Sequence, residues 1–213
     1  MNMRNEIIDL SICNVSKKYK DKVVLDNISL NFERGKCYMI VGANGSGKST
    51  LVKIIIGLVR PTKGYIYKNN IKIGYVPEKY KLADYLKIYD YLLLLGRIKK
   101  VPIESLKNKI DYYLKIWKMY SHRNLRMKEL SKGMMQKVII IQAMINNPDL
   151  YIFDEALNGL DISMQNKLLE IIDNLKKENK MIIITSHYPK LYERTVDVVL
   201  KLEDSKVEVD YNN

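Results

Sequence analysis

The chain has 213 residues and a formal net charge of +12, from 36 Lys plus Arg against 24 Asp plus Glu. A length of this order suits one domain, with or without a subdomain, that buries its own core without disulfide or metal staples. With 47% apolar and 28% charged residues, wholesale disorder is excluded.

Two cysteines, Cys13 and Cys37, are no disulfide framework and fit a reducing compartment. The segment Met1 to Asp9 carries Arg4, Glu6 and Asp9 and lacks an apolar stretch, so no signal peptide is expected there. The longest apolar runs, such as residues 91–95 and 138–141, fall far short of the roughly 18 needed to cross a bilayer. The lysine excess is spread along the chain. It suits a solvated surface, a polyanion ligand or an anionic membrane surface, and by itself does not indicate nucleic-acid binding.

In chain order, short β-rich runs alternate with helical patterns, which reads as α/β. Cys37-Tyr-Met-Ile-Val41 is a buried strand by composition. After a glycine-rich turn, Leu51, Ile54, Ile55 and Leu58 share one face of a helix that Gly57 and Pro61 end. Residues 71–76 predict a strand closed by Pro77. From Ala83 to about Asn147 the character turns helical. Helices are predicted over residues 86–95, from Pro102 onward with Leu106, Ile110, Leu114 and Trp117 on one face, and over 133–145. Residues 150–153 return to strand. A helix striped with Leu168, Ile171, Ile172 and Leu175 follows, then a last buried strand at 181–185. A helical insertion thus interrupts an α/β core.

Gly42-Ala-Asn44-Gly45-Ser46-Gly47-Lys48-Ser49 fits G-x-x-x-x-G-K-[ST], and Thr50 follows it. Glycines let the backbone curl so that consecutive N–H groups face phosphate oxygens, and the next helix adds its positive N-terminus. Lys48 would reach the β- and γ-phosphates, and Ser49 would ligate Mg²⁺. A flexible glycine turn is the bland alternative. The apolar strand before the loop and the amphipathic helix after it favour a nucleoside triphosphate. Downstream, Leu150-Tyr-Ile-Phe153 ends in Asp154-Glu155. Asp154 would hold the metal through water, and Glu155 would polarise the attacking water as general base.

The order of motifs resembles the nucleotide-binding subunit of ABC transporters. Leu130-Ser131-Lys132-Gly133-Met134-Met135-Gln136 looks like a variant of that family's signature, usually written LSGGQ, Asn158-Gly159-Leu160-Asp161 like its D-loop, and Thr185-Ser186-His187 like its switch histidine. Tyr19 stands where the family stacks an aromatic on adenine. The likeness runs from about residue 7 to residue 209. It implies a P-loop NTPase core with an N-terminal antiparallel β subdomain and an inserted α-helical subdomain at about 79–147, all within one ATP-binding domain spanning 1–213. It also implies ATP and Mg²⁺ as cofactors.

On this resemblance two subunits, alike or closely related, clamp two ATP molecules. The phosphate-loop residues Asn44 to Thr50 of one face Ser131 and Gly133 of the other, with Asp161 at the interface and His187 on the γ-phosphate. Without a spanning segment of its own, the chain would power a separate membrane-spanning permease, placing it at the cytoplasmic face of the membrane. Little sequence follows His187, so control is expected through that partner. An ABC-type ATPase acting on nucleic acid or ribosomes is the alternative. The stretch between Ser49 and Ser131 is too short for the coiled-coil insertion of the repair class, and no nucleic-acid partner is expected.

The sequence departs from the family pattern in three places. Lys132 and Met134 replace Gly and Gln in the signature. Glu78, after Tyr75-Val-Pro77, replaces the Q-loop glutamine and would bring a third carboxylate toward the metal. Ala156 replaces a proline. The first two variants resemble exporter subunits. His122 is expected on the surface, Trp117 and residues 92–95 in helix core, and the cysteines in packing.

Overall fold

A computed structural model describes residues 9–80 and 83–211. The N-terminal reading over residues 1–8, and residues 81–82 of the helical insertion, lie outside the described residues.

The described chain forms two compact units, residues 9–71 with 175–211 and residues 72–174. In the first unit, β1 (Leu10–Tyr19), β2 (Lys22–Phe32) and β4 (Lys63–Lys68) make an antiparallel sheet in the order β2-β1-β4. Its inner face is built by Leu10, Ile12, Val15, Leu25, Ile28 and Phe32, all 3% exposed or less. Polar residues alternate with them, as a half-buried antiparallel sheet requires.

A second sheet of this unit runs β7 (Met181–Thr185), β3 (Cys37–Val41), β8 (Val198–Glu203), β9 (Lys206–Tyr211). β3 is parallel to both β7 and β8, while β9 closes the edge antiparallel to β8. β7 is buried at every position, and β3 at all but its last. Strands covered on both faces read as unbroken apolar runs, which is why composition alone locates them. The Cys37 N–H donates to Asp197 Oδ2 (2.7 Å), and Lys176 Nζ reaches Asp197 Oδ1 (2.8 Å).

Between β3 and β4 lies α1 (Lys48–Ile56). It buries Leu51, Val52, Ile54 and Ile55 and ends at Gly57, whose φ of 86° closes the last turn. Leu58, assigned above to the buried face, lies past this cap and is 70% exposed. Once Gly57 reverses the chain, the helical spacing that would have buried position 58 no longer applies.

The second unit pairs β5 (Ile73–Val76) in parallel with β6 (Leu150–Asp154) and carries α2 (Ile88–Ile98), α3 (Ile103–Ile116) and α4 (Lys132–Met144). Pro102 precedes α3, whose stripe Leu106, Ile110 and Leu114 is completely buried together with Trp117 at its end. Each such aliphatic contributes about 1.5–3 kcal/mol by leaving water. The run 92–95 divides: Leu92 is buried, whereas Leu94 is 48% exposed, because successive helix residues turn to different faces. His122 is exposed, Cys37 buried and Cys13 half-buried. α5 (Ile162–Lys177) carries the chain from the second unit back to the first. No helix among the described residues is long and apolar enough to cross a membrane.

Candidate functional site

The candidate residues divide between the two units. In the first, β3 delivers the chain into the loop at Gly42, where φ is 156°, and Gly45 and Gly47 follow at 80° and 114°. These values suit glycine, and they curl the loop tightly enough that Ser46 N–H donates to Ala43 O (3.1 Å). α1 then starts at Lys48 with no side-chain cap and no acidic residue in its first turn. An uncapped helix start opening a glycine loop favours an anion.

Lys48 is 9% exposed, and its Nζ donates to the carbonyls of Gly42 (2.8 Å) and Ala43 (3.1 Å). The ammonium is therefore held against the loop by backbone dipoles. Ser46 Oγ is buried with no hydrogen-bond partner, a hydroxyl that a phosphate oxygen would satisfy. Asn44 and Gly45 are exposed at the loop tip, and Ser49 and Thr50 are half-buried on the first turn. A cleft of about 440 Å³ runs along residues 42–46, between Lys22–Val24 and Lys201–Ser205. These features fit a polyphosphate.

Tyr19, at the end of β1, is 46% exposed and carries the Lys17 ammonium 4.8 Å from its ring centroid. Lys17 also donates to Arg60 O (2.8 Å), so one face of the ring is a cation–π contact with a tethered partner. His187 follows β7 and is exposed beyond the buried Thr185 and Ser186; Ser186 Oγ accepts from Tyr188 N–H (3.0 Å).

In the second unit, β6 ends in Asp154 and Glu155, 4% and 5% exposed. Tyr75 O–H, from β5, donates to Asp154 Oδ2 (3.2 Å). Burial pushes the Tyr75 phenol well up from its ordinary value, and the Asp154 and Glu78 carboxylates push it further, so it remains a donor. Glu155 adopts φ 55°, rare for a residue with a Cβ. Asn158 supports this turn twice: its N–H donates to Glu155 O (3.1 Å) and its Nδ2 to Glu155 Oε2 (3.3 Å).

Glu78 is exposed on the loop after β5. Among the described residues, no group of three or more His, Cys, Asp or Glu is arranged to hold a metal ion. A metal at this strand end would draw Asp154 as an isolated protein donor, with phosphate and water completing its shell, which is how Mg²⁺ is usually held.

Ser131 is exposed and caps α4, its Oγ accepting from Met134 N–H (3.2 Å). A Cβ on Gly133 would lie 2.6 Å from the Gly159 carbonyl oxygen, so the start of α4 packs directly on the 158–161 segment. Asp161, exposed, accepts at Oδ1 from Met164 N–H (3.0 Å) in the first turn of α5. Tyr75 thus bonds Asp154, and Gln136 of α4 donates from Nε2 to the carbonyl oxygen of Ala156, the residue after Glu155 (2.9 Å). Tyr75 and Gln136 lie in stretches that the sequence singles out, the run before Glu78 and the signature, but sequence reasoning gave neither a role of its own. The available signal was a glutamine within the largely apolar helix Lys132–Met144, because a buried amide needs partners.

A family model described as ABC transporter matches residues 25–158. The chain is 38% identical over 197 residues to an uncharacterized ABC transporter ATP-binding protein of Methanocaldococcus jannaschii, covering 92% of this chain and 75% of the relative. It is 36% identical to a zinc import ATP-binding protein of Vibrio vulnificus (91% and 73% covered) and 29% identical to the Nod factor export ATP-binding protein I of Bradyrhizobium diazoefficiens (95% and 69%). A solved ATP-binding subunit of an ABC transporter superposes with a TM-score of 0.89 at 28% identity, covering 95% of this chain and 89% of that one. A dimeric post-hydrolysis ATP-binding cassette bound to ADP and phosphate gives 0.86 at 25% (95% and 98%). The uncapped phosphate loop, the strand-end carboxylates and this agreement lead to one conclusion: the chain belongs to the ABC transporter family, as an ATP-binding subunit with the α/β fold of its cassettes.

Proposed function

We propose that the chain, read as a single ATP-binding domain with a helical subdomain at about 79–147, hydrolyses ATP to power a separate membrane-spanning permease. It would work as a dimer, with itself or a near relative, at the cytoplasmic face of the membrane. The observation that carries the reading is the phosphate loop: three glycines at positive φ, an uncapped helix start and a buried unpartnered Ser46 hydroxyl.

Mg²⁺, when bound, would neutralise charge on the phosphate oxygens. The N–H groups of residues 44–50 cradle the phosphates, and Lys48 turns its Nζ from the loop carbonyls to the terminal phosphates. Tyr19 presents its ring to adenine. Ser49, Asp154 and Glu78 would be the donors for that metal, directly or through water. Glu155 accepts the proton of the attacking water, and His187 orients the γ-phosphate. Ser131, with the N–H groups at Gly133, grips the γ-phosphate held by the partner subunit, and Asp161 lines that interface. Because ADP lacks this phosphate, hydrolysis loosens the grip, which is the differential binding that a transport cycle needs.

The direction we propose is export, supported by Glu78 and the Lys132 and Met134 variants. Relatives named for import and for export both resemble the chain.

The test substitutes Glu155→Gln. The expected result is retained ATP binding, loss of turnover by at least about a hundredfold, and a dimer that accumulates with ATP in size-exclusion chromatography. Normal turnover with no dimer would remove Glu155 as the base. Transport into or out of vesicles carrying the co-purified permease fixes the direction.

A further inference from the structure

Gln136 sits on α4 between Met135 and Lys137 and is 5% exposed, with Val138 and Ile139 buried just beyond it. A primary amide in such surroundings is costly unless both ends are bonded. Both are. Nε2 donates to the Ala156 carbonyl oxygen (2.9 Å, buried), and Oε1 accepts from the Tyr80 hydroxyl (3.3 Å).

The two partners are informative. Ala156 directly follows Glu155, the residue held at φ 55°, and such a conformation persists only where the surroundings fix it. Tyr80 lies two positions after Glu78, on the loop leaving β5. One side chain therefore bonds the segment that carries Glu78 and the turn that carries Glu155, all within one compact unit. On the far side of that turn, Asn158 holds both the backbone and the carboxylate of Glu155. With Gln136 fixing Ala156 and Asn158 fixing Glu155, the peptide between them has little freedom to relax.

We propose that Gln136 is a positioning residue: it couples the Tyr80 loop to the turn bearing Glu155, so that displacement of the loop withdraws the carboxylate from its working position. Gln136 acts through Glu155 and touches no reacting atom. The proposal rests on the reading of Glu155 as general base.

The test uses the full chain and compares Gln136→Met, Tyr80→Phe, the double variant and Glu155→Gln. Methionine keeps the length and removes both hydrogen bonds; phenylalanine removes only the donor to Oε1. For Gln136→Met, kcat is expected to fall about tenfold or more with KM for ATP within about twofold, since the loss is of geometry and not of nucleotide binding. Amide exchange at Asn158 is expected to quicken in parallel. Tyr80→Phe is expected to lower kcat about threefold, and the double variant to be no slower than Gln136→Met, because both changes cut one chain of bonds.

A Gln136→Met protein with unchanged kcat and unchanged exchange at Asn158 overturns the proposal. So does a kcat loss that disappears once normalised to the folded fraction. Should Gln136→Met not fold, Tyr80→Phe with wild-type kcat and exchange overturns it alone. Glu155→Gln separates the two levels. An inactive Glu155→Gln beside a normal Gln136→Met refutes only the positioning role, whereas full turnover in Glu155→Gln refutes the base assignment and with it this proposal.

Discussion

At Gly42 an added methyl group would enter the van der Waals shell of the Leu202 carbonyl oxygen and lie 2.7 Å from Ser46 Oγ. Position 42 is where β3 turns into the phosphate loop, so any relief must move the loop itself. Gly42→Ala is expected to cost about 1–3 kcal/mol in chemical denaturation and to weaken ATP binding at least about tenfold by calorimetry, the N–H groups losing their common aim. Gly133 meets a different obstacle, the Gly159 carbonyl oxygen at 2.6 Å. Gly133→Ala is expected to leave ATP binding by a lone subunit intact while lowering turnover. Equal loss of both would show that the contact supports the fold and not the signature.

Between elements, close approach and buried polar contacts decide stability. A Cβ on Gly96 of α2 would collide with the Leu106 side chain of α3, so these helices pack as closely as a glycine permits. Leu106→Ala is expected to destabilise the protein by about 2–5 kcal/mol, read from urea unfolding of the Trp117 fluorescence, because a completely buried leucine leaves a cavity. Trp117 is the only tryptophan and is buried in this unit, so its emission reports on it directly.

α2 also meets α4 through Gln142. Tyr91 O–H donates to Gln142 Oε1 (3.3 Å), and Lys99 Nζ donates to the Gln142 carbonyl oxygen (2.8 Å). Burial raises the Tyr91 pKa and lowers that of Lys99. The folded state thus retains the phenol proton above about pH 10, where the unfolded chain releases it, and stability is lost as pH rises through that range. Lys99 works the other way, since its neutral form is the one favoured in the fold. Tyr91→Phe is therefore expected to make the alkaline loss of stability shallower, checked by denaturation at pH 8 against about pH 10.5. An unaltered slope would place the alkaline titration elsewhere.

For the molecule as a whole, what matters is which groups remain outside once both units have folded. Ser131 is exposed at the tip of α4, its hydroxyl accepting from Met134 N–H. That suits a residue whose target lies on another subunit. In the Glu155→Gln background, Ser131→Arg is expected to abolish the ATP-dependent dimer in size-exclusion chromatography while each subunit still binds ATP. A dimer that survives would move the interface away from the signature.

The glycine loop was legible because its pattern lies in consecutive residues: Gly42, Gly45 and Gly47 take positive φ and α1 starts directly at Lys48. β3, β6 and β7 were legible because burial on both faces leaves an unbroken apolar run. The antiparallel sheet of β1, β2 and β4 came from family resemblance and not from pattern, since register shifts in β1 and polar outward residues blur the alternation. Leu58 was misplaced because one cap residue outweighs three matching helical positions. Tyr75 and Gln136 could not be assigned roles in advance, their partners lying 79 and 20 positions away. Local spacing thus determined the glycine-rich loop and the buried strands. Only the tertiary fold decided which distant side chains hold Asp154 and the Glu155 turn, because a hydrogen bond depends on where two chains meet in space and not on how either is spelled.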